Sequence, residues 1–317
     1  MKHLQIFQPN AEMAAVANTS NRIVDALSAG YVEIINRMVG KTETTKRTYR
    51  RNVEHFLAFI QSRGIDAHTF GAYREQLAAL DGISVKTKNA YLAAAAALLR
   101  ESMKYGVIPV DITANVPVFK VSRRHVKDGL TGDEVRRVLE HIQAMENDST
   151  RRKMAAMFYL FAMEGLRQME VQQLRVEDVN VVESYVMIRR KGADDKEKFY
   201  VMNATANTVR EYMERESLTA GWLFPSSRNH GQPVTLRAIR KYFTCPQYGI
   251  FAQCGIPGKS VHGFRHYNIT QTLKIYNGNL EKTRQRSGHG GHEMLVVYND
   301  ERLNRADVAE LEAAFMT

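Results

Sequence analysis

The chain has 317 residues, with 44 Lys and Arg against 34 Asp and Glu, a formal net charge of +10, 44% hydrophobic residues and 25% charged residues. This is an ordinary globular composition with length for two cores, and it excludes a disordered tail protein, a collagen-like repeat and a disulfide-stapled miniature. The longest apolar stretch, Tyr91 to Leu99, falls far short of the roughly 20 residues a membrane span needs, and the start of the chain has no signal-like apolar segment, so a cytoplasmic protein without a membrane partner is expected.

The basic excess points to a polyanionic partner. It is spread over the chain: residues 1–120 hold 15 basic against 10 acidic residues, and the remainder holds 29 against 24. In the first part, Ile23, Leu27, Tyr31, Ile34, Ile35 and Met38 recur at helical spacing ahead of Gly40. Thr44 or Thr45 is placed to cap a second helix with the stripe Tyr49, Val53, Phe56, Leu57 and Ile60, ending near Gly64. A short third helix is expected over about Tyr73 to Leu80, and a fourth from Ser84 to Gly106. These make a helical amino-terminal domain over residues 1–108. Lys41, Lys46, Arg47, Arg50 and Arg51 form the densest basic cluster, and Lys86 with Lys88 a smaller one. Both lie at helix amino termini, where unpaired N–H groups also favour phosphate.

Over residues 109–127 the periodicity is lost and Lys120, Arg123, Arg124 and Lys127 accumulate, which reads as a basic linker. The second domain, residues 128–317, opens on Thr131 and Glu134 at capping-box spacing. Helices are expected to about Gly165. Strand formers between Val179 and Met202 then flank the polar turn Lys191 to Asp195, predicting a small antiparallel sheet with a long hairpin. Beyond it the pattern is helical again, with loops at Pro225–Pro233 and Pro246–Lys259. The expected fold class is mainly α with a small antiparallel β-sheet.

Three separated segments carry chemistry. The first is Glu164-Gly165-Leu166-Arg167-Gln168-Met169-Glu170, in which Glu170 reads as a surface acid or one that orients the arginine. In the second, Val261-His262-Gly263-Phe264-Arg265-His266, the pair His262 and Arg265 has the spacing of one helix face. The third is Ser287-Gly288-His289-Gly290-Gly291-His292, with Tyr298 nine residues after His289. Lys191 lies in the hairpin between the first and second segments.

Arg167 in a Gly-Leu-Arg context, a hairpin Lys191, a His262-x-x-Arg265 pair, Gly288-His289 and Tyr298, taken in this order, resemble the signature of the tyrosine recombinase family of site-specific DNA recombinases and integrases. The likeness spans nearly the whole chain. The stretch from Thr44 to Phe59 and the helix from Ser84 to Gly106 are similar to the family's helical, SAM-like core-binding domain, and residues 128–317 to its catalytic domain. Three places depart from the pattern: Ser287 stands where leucine is usual before Gly-His, Gly290-Gly291-His292 lacks the small polar pattern usual after it, and Phe264 stands where leucine is usual before the arginine.

The resemblance implies a DNA-cleaving and rejoining enzyme that works through a 3′-phosphotyrosine without metal, ATP or cofactor. Its catalytic set would be Arg167, Lys191, His262, Arg265, His289 and Tyr298, and its DNA-binding set Lys41, Lys46, Arg47, Arg50, Arg51, Lys86, Lys88, Arg123 and Arg124. Its partner would be a double-stranded recombination site held by a homo-tetramer, with the chain associated with the nucleoid. Metal-free phosphodiester cleavage needs cationic donors around the non-bridging oxygens, and the two planar guanidinium forks supply them bidentately without losing their protons. The histidines can donate a hydrogen bond or carry a proton. Tyr298 would be the nucleophile; its phenol, with an ordinary pKa of about 10, needs neighbouring cations or a base to attack. Lys191 would protonate the leaving 5′-oxygen.

Two rival readings stand beside this one. A metal-dependent hydrolase could use His262 and His266 at i, i+4 with His289 and His292, but position 263 is Gly where the helical zinc motif needs Glu, and two arginines would repel a cation. The two cysteines, Cys245 and Cys254, are too few for a zinc site of their own and read as packing residues. An inactive DNA-binding regulator would lack one or more of the six catalytic positions, and all six are present. At the end of the chain, Leu303, Val308, Leu311 and Phe315 form an apolar stripe. The family resemblance implies that this helix docks on a neighbouring protomer. The first helix is expected to begin within about 20 residues of the start, leaving no room for an added arm-binding domain, so a likeness to the simpler Xer, integron or transposon enzymes is expected.

Overall fold

The computed structural model describes residues 11–121, 129–190, 192–288, 291 and 295, with side chains from residue 18 onward. Lys191, His289, Tyr298, Arg123, Arg124 and the tail stripe from Leu303 to Phe315 lie outside the described residues. The chain forms two compact units, Met1–Ser122 and Arg123–Thr317. Among the described residues no helix is long and apolar enough to cross a membrane.

The first unit is built on four helices, α1 (Ala11–Asn36), α2 (Glu43–Arg63), α3 (Thr69–Ala79) and α4 (Val85–Lys104). Leu27, Ile35, Val53, Phe56, Ile60, Phe70, Tyr73, Leu77 and Leu98 fill its core at 2% exposure or less. The cap of α2 is Thr42 rather than Thr44 or Thr45, because its hydroxyl accepts from the Thr45 N–H at 3.3 Å and leaves the two later threonines inside the first turn. Helix α3 starts earlier than the apolar periodicity suggests. Asp66 and Thr69 hydrogen-bond reciprocally, at 2.7 and 2.8 Å, and start it ahead of the buried Phe70.

Residues 109–121 are not a loose strand of linker, since they fold back on the first unit. Asn89 of α4 donates to the Phe119 carbonyl and accepts from the Phe119 N–H, both at 2.9 Å. Arg74 of α3 donates to the Pro117 carbonyl at 2.6 Å and lays its guanidinium 4.5 Å from the Phe119 ring centroid. One side-chain amide thus acts as a backbone partner, a role that hydrophobic periodicity does not reveal.

The second unit opens with α5 (Gly132–Ala144), whose Thr131–Glu134 capping box is formed, and α6 (Ser149–Phe158), which runs into a π-turn, Tyr159–Met163. A short α7 (Gln168–Gln172) leads to the sheet, ordered β1 (Val179–Asn180), β2 (Tyr185–Arg189) and β3 (Lys196–Tyr200), all antiparallel. In the β2–β3 register Tyr185 faces Tyr200 and Arg189 faces Lys196, so Val186, Ile188 and Phe199 turn into the core. Then come α8 (Asn203–Arg215), α9 (Leu236–Thr244), α10 (Ile250–Gln253), α11 (His262–Ile275) and α12 (Leu280–Ser287). The segment Pro246–Lys259 is therefore not all loop, because α10 forms inside it to bury Ile250 and Phe251.

Phe264 of α11 has no exposed surface and lies 5.3–5.6 Å, centroid to centroid, from Phe251, Phe158 and Phe243. Burying such rings fixes the helix carrying Arg265 against the core, at a gain of roughly 2–3 kcal/mol for a phenylalanine side chain.

Candidate active site

The Gly-Leu-Arg segment is a turn that only glycine can start. Gly165 has φ +68°, and a Cβ there would sit 2.4 Å from Asn268 Oδ1. Asn268, one turn beyond Arg265 on α11, uses its amide to close the preceding π-turn, donating to the Met163 carbonyl at 2.7 Å. The close approach therefore brings Arg167 and α11 into one place. π-Turns recur beside functional sites, and this one ends at Glu164.

Arg265 is 2% exposed and spans two loops: Nη1 donates to the Gly165 carbonyl and Nη2 to the Ser287 carbonyl, each at 2.6 Å. Arg167 leans on the same end of α12, its Nη2 donating to the Gly288 carbonyl at 3.3 Å. Glu170 holds Arg167 twice, with Oε1 2.8 Å from Nη1 and Oε2 2.8 Å from the backbone N–H. The carboxylate is buried, so of the two roles read for it the structure favours the arginine-orienting one.

The dipeptide Ser287–Gly288 thus receives both guanidiniums, and the chain passes directly from it to His289. Gly288, with φ +62°, is the left-handed end of α12. The helix is itself anchored by Arg286, which donates to the Tyr200 carbonyl at 2.5 Å and pairs with Glu164. Glu164 is 1% exposed and also accepts from the Met202 N–H at 2.9 Å and the Thr205 hydroxyl at 2.5 Å. Reading the sequence for chemistry missed both Glu164 and Arg286. Their only signal was position: each directly precedes the dipeptide, Gly165-Leu166 or Ser287-Gly288, that shapes the site.

His262 is the first residue of α11 and is exposed, while Arg265 is buried, so the two share a helix but not an environment. The His262 ring meets that of His266 edge-on, centroids 4.6 Å apart. Among the described residues no group of three or more His, Cys, Asp or Glu gathers as metal ligands would. Cys254 is half-buried against the core, as a packing residue, and burial pushes its thiol up. Cys245 closes α9, with its thiol 3.1 Å from Gln247 Oε1.

The basic residues of the first unit separate into two kinds. Lys41, Arg47, Arg51 and Lys86 are exposed. Lys46 and Lys88 instead repeat one device: each sits four residues after its helix cap and donates to a carbonyl ten residues upstream, Asn36 at 2.5 Å and Ala78 at 2.8 Å, at the end of the preceding helix. Such a cation neutralises the helix carbonyl end and ties successive helices together. Arg50 is similarly engaged, with Asn36 and with Glu43 at 2.6 Å.

Comparison with known proteins gives a consistent answer. The family model described as "Phage integrase family" matches residues 129–305, more than half of the chain. Tyrosine recombinase XerD of Staphylococcus haemolyticus is 25% identical over 282 residues, covering 84% of this chain and 91% of its own. XerD of Rhizobium meliloti is also 25% identical, over 303 residues, covering 88% and 94%. In fold, the chain is similar to XerH recombinase bound to its difH substrate, with a TM-score of 0.67 at 16% identity, covering 94% and 96%. A lambda integrase tetramer on a Holliday junction gives 0.66 at 15% identity, covering 94% and 84%. The chain belongs to the phage integrase family, that of the tyrosine recombinases.

Proposed function

We propose that the chain cuts and rejoins duplex DNA at a specific site, with Arg167 and Arg265 clamping the scissile phosphate, Tyr298 attacking it, and Lys191, His262 and His289 moving protons or donating to its oxygens. The observation that carries this reading is the meeting of the two arginines on Ser287–Gly288, from elements nearly a hundred residues apart, one peptide before His289. A guanidinium plane fixed by backbone carbonyls is preorganised, so little reorganisation is needed when negative charge builds on a phosphate.

The order of events follows from the chemistry. Tyr298 passes its proton to His262 or His289 and attacks phosphorus, the 5′-oxygen leaves with a proton from Lys191, and a 3′-phosphotyrosine remains. The phosphodiester energy is kept in that ester, so religation by a 5′-hydroxyl needs no ATP. The exposed Lys41, Arg47, Arg51 and Lys86, with Arg123 and Arg124, would follow the phosphate backbone. The working assembly is a tetramer on two paired sites, joined by the tail carrying Leu303, Val308, Leu311 and Phe315, and it acts on the nucleoid in the cytoplasm.

A nicked duplex that traps the covalent intermediate tests this directly. Tyr298→Phe removes only the nucleophilic oxygen, so it should abolish the protein–DNA adduct and leave duplex binding within about twofold. An adduct formed by Tyr298→Phe would overturn the assignment of the nucleophile.

A further inference from the structure

Arg190 follows the last residue of β2 and is not among the residues singled out from the sequence, where its neighbour Lys191 drew attention. Its side chain is only 11% exposed. Nε is taken by Glu197 at 2.7 Å, and the guanidinium lies 5.1 Å from the Phe199 ring centroid. Nη1 and Nη2 are fully buried and have no hydrogen-bond partner among the described residues. Buried N–H donors of a charged group are almost always satisfied, because leaving them bare forfeits hydration without return.

The position of these two nitrogens gives the reason. Nη1 stands 3.6 Å from Glu170 Oε2, the carboxylate that also orients Arg167. A Cβ on Gly288 would come within 2.5 Å of Arg190 Cζ and Nε, so the missing side chain there is what admits the guanidinium. Arg167 meets the same glycine through its carbonyl oxygen. Arg190 and Arg167 therefore share an acid on one side and a glycine on the other, and Arg265 holds the preceding residue, Ser287.

We propose that Arg190 is a third phosphate-binding arginine of this active site, its Nη1 and Nη2 donating to a non-bridging oxygen of the scissile phosphate. The assignment rests on the recombinase reading above. It explains why Glu197 takes Nε at hydrogen-bond distance while Glu170 stands back at 3.6 Å from Nη1: the two acids set the plane of the guanidinium without satisfying the hydrogen bonds of Nη1 and Nη2. A third guanidinium on the phosphate adds charge stabilisation that the two motif arginines do not supply alone.

The test is a binding and cleavage cycle with the full-length chain. In the Tyr298→Phe background, Arg190→Gln should weaken affinity for a duplex with a native scissile phosphate by about tenfold, the worth of a charge-assisted phosphate contact. The same substitution should change affinity by less than about twofold on one of the two methylphosphonate diastereomers, where the contacted oxygen is replaced by methyl. With Tyr298 present, single-turnover adduct formation on the nicked native duplex should fall by roughly 10²-fold. If Arg190→Gln does not fold, as judged by its thermal melt, Arg190→Lys takes its place in the cycle, with the same comparison between phosphate and phosphonate.

Equal losses on phosphate and on both phosphonates would make Arg190 a structural clamp and overturn the proposal, as would adduct formation within about threefold of the unsubstituted chain. A failure of the unsubstituted chain to form any adduct on its site would instead overturn the recombinase reading itself.

Discussion

Arg265 Nη1 donates to the Gly165 carbonyl oxygen at 2.6 Å, a bond that joins α11 to the turn from which Arg167 projects. The arginine's other end donates to Ser287, so its geometry is set by two carbonyls at once. A lysine ammonium is a compact point charge that reaches one such acceptor, not both at the fork angle. Arg265→Lys should therefore lower adduct formation by at least 10²-fold while duplex affinity changes far less. Time courses on a nicked duplex and gel shifts on the same preparation measure the two. A cleavage rate within about threefold of the unsubstituted chain contradicts the phosphate-clamp role.

The division of the basic residues leads to a second expectation. Replacing exposed Lys41, Arg47, Arg51 and Lys86 by Gln removes charge without touching a hydrogen bond among the described residues of the first unit, so DNA affinity should fall about equally on all sequences. The salt dependence should flatten by roughly one unit of slope for each phosphate no longer neutralised. Replacing Lys46 and Lys88 should act differently, lowering the melting temperature because each ties a helix end to its neighbour. Affinity measured over a range of about 50 to 200 mM salt, beside thermal melts, separates the two groups. An unchanged slope for the exposed set would mean a merely solvated face.

Much of this was legible in the sequence because the signals were local. The stripe Val53, Phe56, Leu57 and Ile60 named the buried face of α2, and Thr131 with Glu134 named the start of α5. The strand formers on either side of the polar turn Lys191 to Asp195 named the hairpin. What stayed hidden depends on contacts between distant segments. Glu164 sits in the sequence as one more acid before a glycine; only the fold brings Met202, Thr205 and Arg286 to it. Lys46 and Arg47 are adjacent and chemically alike, yet one is tied to a helix end and the other faces solvent, a difference fixed by where α1 stops. Asn89 likewise gave no sign that its amide would hold Phe119 from the segment read as linker.

Glu164 and Arg286 offer the sharpest test of how α12 is held. Glu164 is buried, and among the described residues its partners apart from Arg286 are the neutral Met202 N–H and Thr205 hydroxyl. Arg286→Met would leave that carboxylate without its cation. Breaking a fully buried pair from one side costs about 3–5 kcal/mol, and the 22% exposure of the Arg286 side chain should reduce this to roughly 2–3 kcal/mol. Glu164→Gln keeps the shape and removes the charge, at a cost of about 1–3 kcal/mol. The double variant should be less destabilised than the sum of the two, because once Glu164 is neutral the loss of Arg286 strands no charge. Adduct formation should fall along with stability in Arg286→Met, since α12 delivers Ser287 and Gly288 to Arg265 and Arg167. Urea unfolding of the four proteins gives the coupling directly. Additive losses would show that the pair acts as two independent contacts, and α12 would then owe its placement to Phe199, whose ring centroid lies 4.4 Å from the Arg286 guanidinium, and to the Tyr200 carbonyl.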